Sequence, residues 1–233
     1  WNTSHSNLSQ VLDIFHIPKV SSSPFASALE TSKQMLKEHM QKLDVDMPRS
    51  LVIPFYQEDF DGPRARYAIK KAKEVHAKFG APWIVKSFTP EASMAIHLAQ
   101  TFNELVGAIE DGANHNKSIL VEEFISGKVA ALHSVPNFRN EEIYTFPFGN
   151  SFGNFTAEEK EKLYELVKKL HESMGFTHYL KSDFVITGRG KVYILGISTT
   201  PNLKDSSHFA EVCGLVGIKP HHVIDHILER GSN

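Results

Sequence analysis

Cysteine is nearly absent: the 233 residues hold one, Cys213. A single thiol excludes an intrachain disulfide framework and suits a reducing compartment, so a cytoplasmic setting is expected. An excess of positive charge is missing as well. Lys and Arg total 25 against 27 Asp and Glu, a formal net charge of −2, which excludes the global basic field of a nucleic-acid binder. No apolar run approaches the ~20 residues of a membrane-spanning helix. No signal peptide is visible, although the chain begins at Trp1, which leaves open what precedes it. Neither nucleic acid nor membrane is expected as a partner. Internal repeats and low-complexity segments are lacking too. What remains is ordinary globular material, 41% hydrophobic and 22% charged, enough for one large domain or two modest ones.

Apolar spacing sets out the elements. Leu8, Val11, Leu12 and Phe15 share one helix face, stopped by Pro18. Ser23 and Pro24 have the form of N-cap and N1 of a second helix. Its stripe is Leu29, Leu36, Met40 and Leu43, and it ends before Pro48. "LVIPF" (51–55) reads as a strand. Gly62 and Pro63 open a third helix, striped by Ala68, Ala72, Val75 and Phe79, with Gly80 as its C′ residue. "PWIVKSF" (82–88) and "SMAIHLA" (93–99) read as strands. Thr101 with Glu104, and Thr156 with Glu159, are capping boxes. The first heads a helix that carries Leu105, Val106 and Ile109 and stops at Gly112. The second heads a long helix running to Gly175. "SILVEEFI" (118–125), "VAALHSV" (129–135) and "EIYTFPF" (142–148) are strands, and helices near 207–216 and 221–230 close the chain. Helices and strands mix throughout, so the fold class is α+β, or mixed α/β.

Several residues carry possible chemistry. "YLKSDFVIT" and "KVYILGIS" flank Gly188-Arg189-Gly190, a hairpin signal. A tight turn at Arg189-Gly190 sets Asp183 opposite Gly196 and Lys181 opposite Ser198, roughly 5 Å apart at Cβ. Gly196 within a strand marks a bulge, a close backbone approach or an unfilled position. Lys86 ends the apolar run Trp83-Ile84-Val85, where a lysine snorkels to solvent or meets an anion. Lys33, early in its helix, reads by itself as a solvated residue. Glu122 and Glu123 point to opposite faces of their strand, and one of them could accept a hydrogen bond from a ligand. His222 and His226, at i and i+4 beside His221, have a spacing that can bind a metal but lack a third ligand. Cys213, in "FAEVCGLVG", reads as a small core residue rather than a nucleophile.

The segments "PFASALETSKQMLKEHMQKLDVDMP", "PWIVKS", "ILVEEFISG", "YLKSDFVI", "KVYILGISTTPN" and "AEVCGLVGI", in this order and spacing, resemble the D-alanine–D-alanine ligase family. The resemblance covers nearly the whole chain. It implies an ATP-grasp fold, two α+β subdomains clasping a nucleotide cleft. Residues 1–22 would be a remnant of the N-terminal substrate domain, 23–115 the small subdomain with its leading helix, and 116–233 the large C-terminal subdomain. It also implies ATP and Mg²⁺ as cofactors, a nucleotide or small amino acid as partner, a possible homodimer, and peptidoglycan precursor synthesis. In such ligases ATP phosphorylates one D-alanine carboxylate, and the amine of a second D-alanine attacks the acyl phosphate. On this likeness Lys33 and Lys86 match lysines on the ATP phosphates. Glu122, with the backbone of Glu123, Phe124 and Ile125, matches the strand that holds adenine. Asp183 matches a magnesium-binding carboxylate, Lys181 an arginine aimed at the transferring phosphoryl group, and Ser207 a residue of the substrate loop.

The chain also departs from the family. Gly196 and Ser198 stand where its "E-x-N" supplies a carboxylate and an amide to two Mg²⁺ ions, which want near-octahedral oxygen ligands. The phosphate loop reads "SFTPEASMA" (87–95), in which Pro90 has no N–H to donate and Glu91 would meet phosphate with like charge. Val129 stands near the place of the ribose-binding acid, and "GNSFGNFT" (149–156) is short and lacks the family's Tyr and Lys. Lys181 for arginine loses bidentate recognition. The expectation is a divergent protein with impaired or lost ligase catalysis, a pseudoenzyme with residual nucleotide binding. The alternative is an active ATP-dependent carboxylate–amine ligase with a rearranged metal site, helped by Asp205 if its turn folds back.

Overall fold

The computed structural model describes residue 20 and residues 23–88, 94–115, 118–149 and 154–231. The stripe from Leu8 to Phe15 with its stop at Pro18, the loop residues Pro90 and Glu91, and residues 150–153 lie outside the described residues.

The chain runs α1 (Pro24–Thr31), α2 (Lys33–Lys42), β1 (Ser50–Ile53), α3 (Tyr56–Asp59), α4 (Arg64–Lys78), β2 (Trp83–Ser87), β3 (His97–Ala99) and α5 (Phe102–Asn114). It continues as β4 (Ile119–Glu123), β5 (Lys128–Pro136), β6 (Ile143–Thr145), α6 (Ala157–Met174), β7 (Leu180–Ile186), β8 (Val192–Ser198), α7 (His208–Leu215) and α8 (Pro220–Gly231). These form two compact units, one of residues 47–126 and one of residues 1–46 with 127–233.

The smaller unit is an antiparallel sheet of order β1-β4-β2-β3. Alternation along its strands turns Ile53, Trp83, Val85, Ile119 and Val121 to one face, where they pack with residues of α4 and α5. Each such aliphatic or aromatic side chain contributes about 1.5–3 kcal/mol on burial. The Thr101–Glu104 capping box closes α5 at its start, both of its bonds being present. The helix runs past Gly112 to Asn114 rather than stopping there. A Cβ on Gly112 would lie 2.5 Å from Ile119 Cδ1, so this glycine serves helix–strand packing, not termination. Nor does Gly80 cap α4: the chain leaves that helix through extended Phe79, φ −159°.

The larger unit holds a second antiparallel sheet, of order β6-β5-β7-β8. Helix α6 buries Leu163, Val167 and Leu170, begins on the Thr156–Glu159 capping box, and ends at Gly175 in the left-handed region, φ 62°. Helix α7 buries Phe209, Val212 and Cys213. The single helix expected after Pro24 is two helices. Ser32 breaks it with an extended backbone, φ −110° and ψ 102°, and its hydroxyl accepts from Met35 N, so it caps α2.

The expected boundary at 115/116 does not coincide with these units. β4 takes its ladder bonds from β1 and β2, so residues 116–126 complete the smaller sheet. Helices α1 and α2 belong instead with the larger unit. There Lys33 Nζ donates to Leu195 O of β8 at 2.7 Å.

Candidate functional site

In the larger unit the site face of the sheet is set by register. Asp183 pairs with Gly196 and Lys181 with Ser198, as the hairpin pattern predicts, but by a different route. The turn is one residue longer and closes earlier, on Thr187 rather than Gly188, with Thr187 N donating to Lys191 O and Gly190 at φ 76°. Phe184 therefore faces Ile194, and Leu195 is an extra residue between Ile194 and Gly196, a β-bulge that restores the register. Gly196 has nothing within 4 Å of an added Cβ, so it is the unfilled position and its neighbour the bulge. One row across the sheet thus reads His133–Lys181–Ser198, and the next Ala131–Asp183–Gly196.

The expected site residues of this row are engaged within the protein. Lys181 Nζ donates to Asp183 Oδ2 at 2.8 Å. Ser198 Oγ donates to Glu30 Oε1 at 2.9 Å, and Thr199 Oγ1 donates to Glu30 Oε2 at 2.5 Å. Lys33 Nζ is bonded to the bulge carbonyl. Ser207 is the N-cap of α7: it accepts from Ala210 N at 3.1 Å and donates to Asn202 O at 2.8 Å. Asp205 is exposed.

A largely buried polar chain borders Lys181, with His208 at its half-buried end. Tyr179 Oη lies 2.6 Å from His133 Nδ1, and His133 Nε2 lies 2.8 Å from His208 Nδ1. Burial raises the pKa of Tyr179, so its hydroxyl keeps its proton. One assignment satisfies both contacts: Tyr179 donates to His133, and His133 donates to His208. Burial, then His208 and Lys181, lower the pKa of His133 to about 3, and burial also lowers that of His208.

The smaller unit carries the other expected residues. Lys86 Nζ lies 2.6 Å from Glu122 Oε2, with Glu122 only 6% exposed. Glu123 takes the opposite face, where Arg49 Nε and Nη2 bind its carboxylate at 2.9 and 2.8 Å. The backbone N–H of Glu123 donates to Arg49 O and that of Phe124 to Pro82 O. Phe124 is exposed and Ile125 half-buried. In the larger unit Val129 is exposed on β5, opposite Val185.

The donor set does not fit a pair of magnesium ions. Asp183 is already neutralised by Lys181, Gly196 has no ligand atom, and Ser198 offers a hydroxyl bonded to Glu30. Among the described residues no group of three or more His, Cys, Asp or Glu could hold a metal ion. The histidines of α8 are no exception. His226 Nε2 donates to Pro136 O at 3.1 Å, and His222 Nδ1 accepts from Lys219 N, so both serve the backbone.

Sequence reasoning missed Glu30, which lies 168 residues from Ser198 and has no local pattern to mark it. It also missed Arg49 and the Tyr179–His133–His208 chain. No described helix is long and apolar enough to cross a membrane.

Solved structures share this architecture. D-alanyl-alanine synthetase A from Vibrio cholerae matches 97% of this chain and 72% of its own at a TM-score of 0.74 and 19% identity. D-alanine–D-alanine ligase from Bacillus anthracis, complexed with ATP, matches 95% of this chain and 72% of its own at a TM-score of 0.72 and 17% identity. The fold is the ATP-grasp fold of these ligases. The D-alanine–D-alanine ligase of Geotalea uraniireducens is 26% identical over 234 residues, covering 94% of this chain and 71% of its own length. The family profile "D-ala D-ala ligase C-terminus" matches residues 44–145 and 151–229, and the chain belongs to that family.

Proposed function

We propose that this chain is a D-alanine–D-alanine ligase-like ATP-grasp protein whose ligase catalysis is impaired or lost, with residual nucleotide binding, working in a reducing, cytoplasmic setting. The observation that carries the reading is the engagement of Ser198 and Asp183, the residues at the metal positions, by Glu30 and Lys181. Phosphoryl transfer depends almost wholly on positioning and on stabilising developing charge. Losing one such group costs about 10²–10³ in rate, and several losses together need not add. In the smaller unit, Lys86 and the strand end at 122–125 would hold the nucleotide. ATP is expected because a relative of the same fold was solved with it.

The test is dipeptide formation from D-alanine and ATP with Mg²⁺, read by mass spectrometry beside the ligase of Geotalea uraniireducens. The expected yield is at least about 10³-fold lower for this chain. A comparable yield overturns the reading.

A further inference from the structure

The place where the family's metal ligands would lie is not merely depleted; it is rebuilt. Glu30 reaches β8 from α1 and takes one hydroxyl on each carboxylate oxygen, Ser198 at 2.9 Å and Thr199 at 2.5 Å. Thr199 is 7% exposed, so this end of the strand is partly shielded from water. Ser198 Oγ also accepts from Thr200 N at 3.4 Å. Three residues earlier on β8, the bulge carbonyl of Leu195 takes the ammonium of Lys33, from α2. Both leading helices are therefore tied to the same strand end, one by an anion and one by a cation.

We infer that Glu30 replaces a divalent cation as the tie at the end of β8. A carboxylate holding two hydroxyls is a charge-assisted clasp that fixes the strand end directly. A magnesium ion would have to recruit oxygens already committed to these bonds, and do so beside the Lys181 ammonium, 2.8 Å from Asp183 Oδ2. Only the nucleotide arm of the test rests on the function proposed above.

The test begins with the metal alone. Wild-type protein titrated with Mn²⁺ and read by electron paramagnetic resonance is expected to show no saturable site tighter than about 1 mM. A Mn²⁺ site that Asp183→Asn removes overturns the inference. The double variant Gly196→Glu, Ser198→Asn restores the ligand types, and position 196 has room, since nothing lies within 4 Å of an added Cβ. It is expected to gain at least about tenfold in Mn²⁺ affinity; a variant that folds, by circular dichroism, and gains nothing overturns it. Glu30→Ala is expected to speed amide hydrogen exchange at 198–200, with Glu30→Gln intermediate. Unchanged exchange in Glu30→Ala overturns the role of Glu30. In calorimetry, ATP and inorganic phosphate are each titrated with Mg²⁺ and with a chelator. Affinities within about twofold support the inference, and binding that requires Mg²⁺ overturns it. ATP that binds under neither condition refutes the nucleotide reading, while the Mn²⁺ result still decides this one.

Discussion

Lys181 Nζ lies 2.8 Å from Asp183 Oδ2, on one face of β7 and two residues apart. The cation expected to face a transferring phosphoryl group is thus paired with the carboxylate expected to face a metal. Each side chain is about one-third exposed, so water screens the pair and its contribution to stability is small. Asp183→Asn is expected to change unfolding free energy by less than about 1 kcal/mol in urea titrations. A much larger loss would mean that Asp183 has a structural duty beyond this pair.

Acid is expected to destabilise the protein early. Burial lowers the pKa of His133 to about 3 and that of His171 to about 4, from an ordinary 6.5. Below 6.5 the unfolded chain binds protons that the folded one refuses. Stability is therefore full above that pH and falls as pH drops from 6.5 toward 4, by about 1.4 kcal/mol per pH unit for each histidine. Urea titrations at pH 7.5 and 5.0 check the sign. His133→Gln should flatten the dependence.

Two glycines should respond in opposite ways. A Cβ on Gly127 would lie 2.2 Å from Ile186 O, a backbone atom that cannot swing aside. Gly127→Ala is expected to cost about 1–3 kcal/mol, as overpacking does, and to lower the melting temperature by roughly 3–10 °C. Gly196→Ala, which meets nothing, should stay within about 1 kcal/mol of wild type. Thermal melts of the two variants side by side check the contrast.

Lys86 has a structural role in the smaller unit. Lys86→Met removes an ammonium 2.6 Å from the buried Glu122 carboxylate. The expected loss is about 1–3 kcal/mol, read by urea titration. Lys86→Met together with Glu122→Gln should recover part of it, because the second change removes the buried carboxylate charge that the ammonium offset.

Much of the fold was legible because local chemistry fixed it. The capping boxes at Thr101 and Thr156 each form both bonds, and short apolar runs marked the strands around Val85 and Val121. The hairpin patch was legible only through a cancellation: the turn is one residue longer than expected, and the bulge at Leu195 puts the register back. Ser32 was hidden inside one helical stripe, because a serine in mid-pattern does not announce that it will cap a new turn. The Glu30 clasp was not legible at all. It spans 168 residues, and no periodicity links a helix glutamate to a strand end that far away. The tautomer-linked chain through Tyr179, His133 and His208 failed to show for the same reason, being made by the fold and not by the neighbours of each residue.

The most direct measurement is phosphate release from ATP in the presence of Mg²⁺ and D-alanine, made on the wild type and on Asp183→Ala. The expected result is release at the buffer rate from both. Robust release from the wild type that Asp183→Ala abolishes would contradict the account, because it would require Asp183 to leave Lys181 and serve a working phosphoryl-transfer centre.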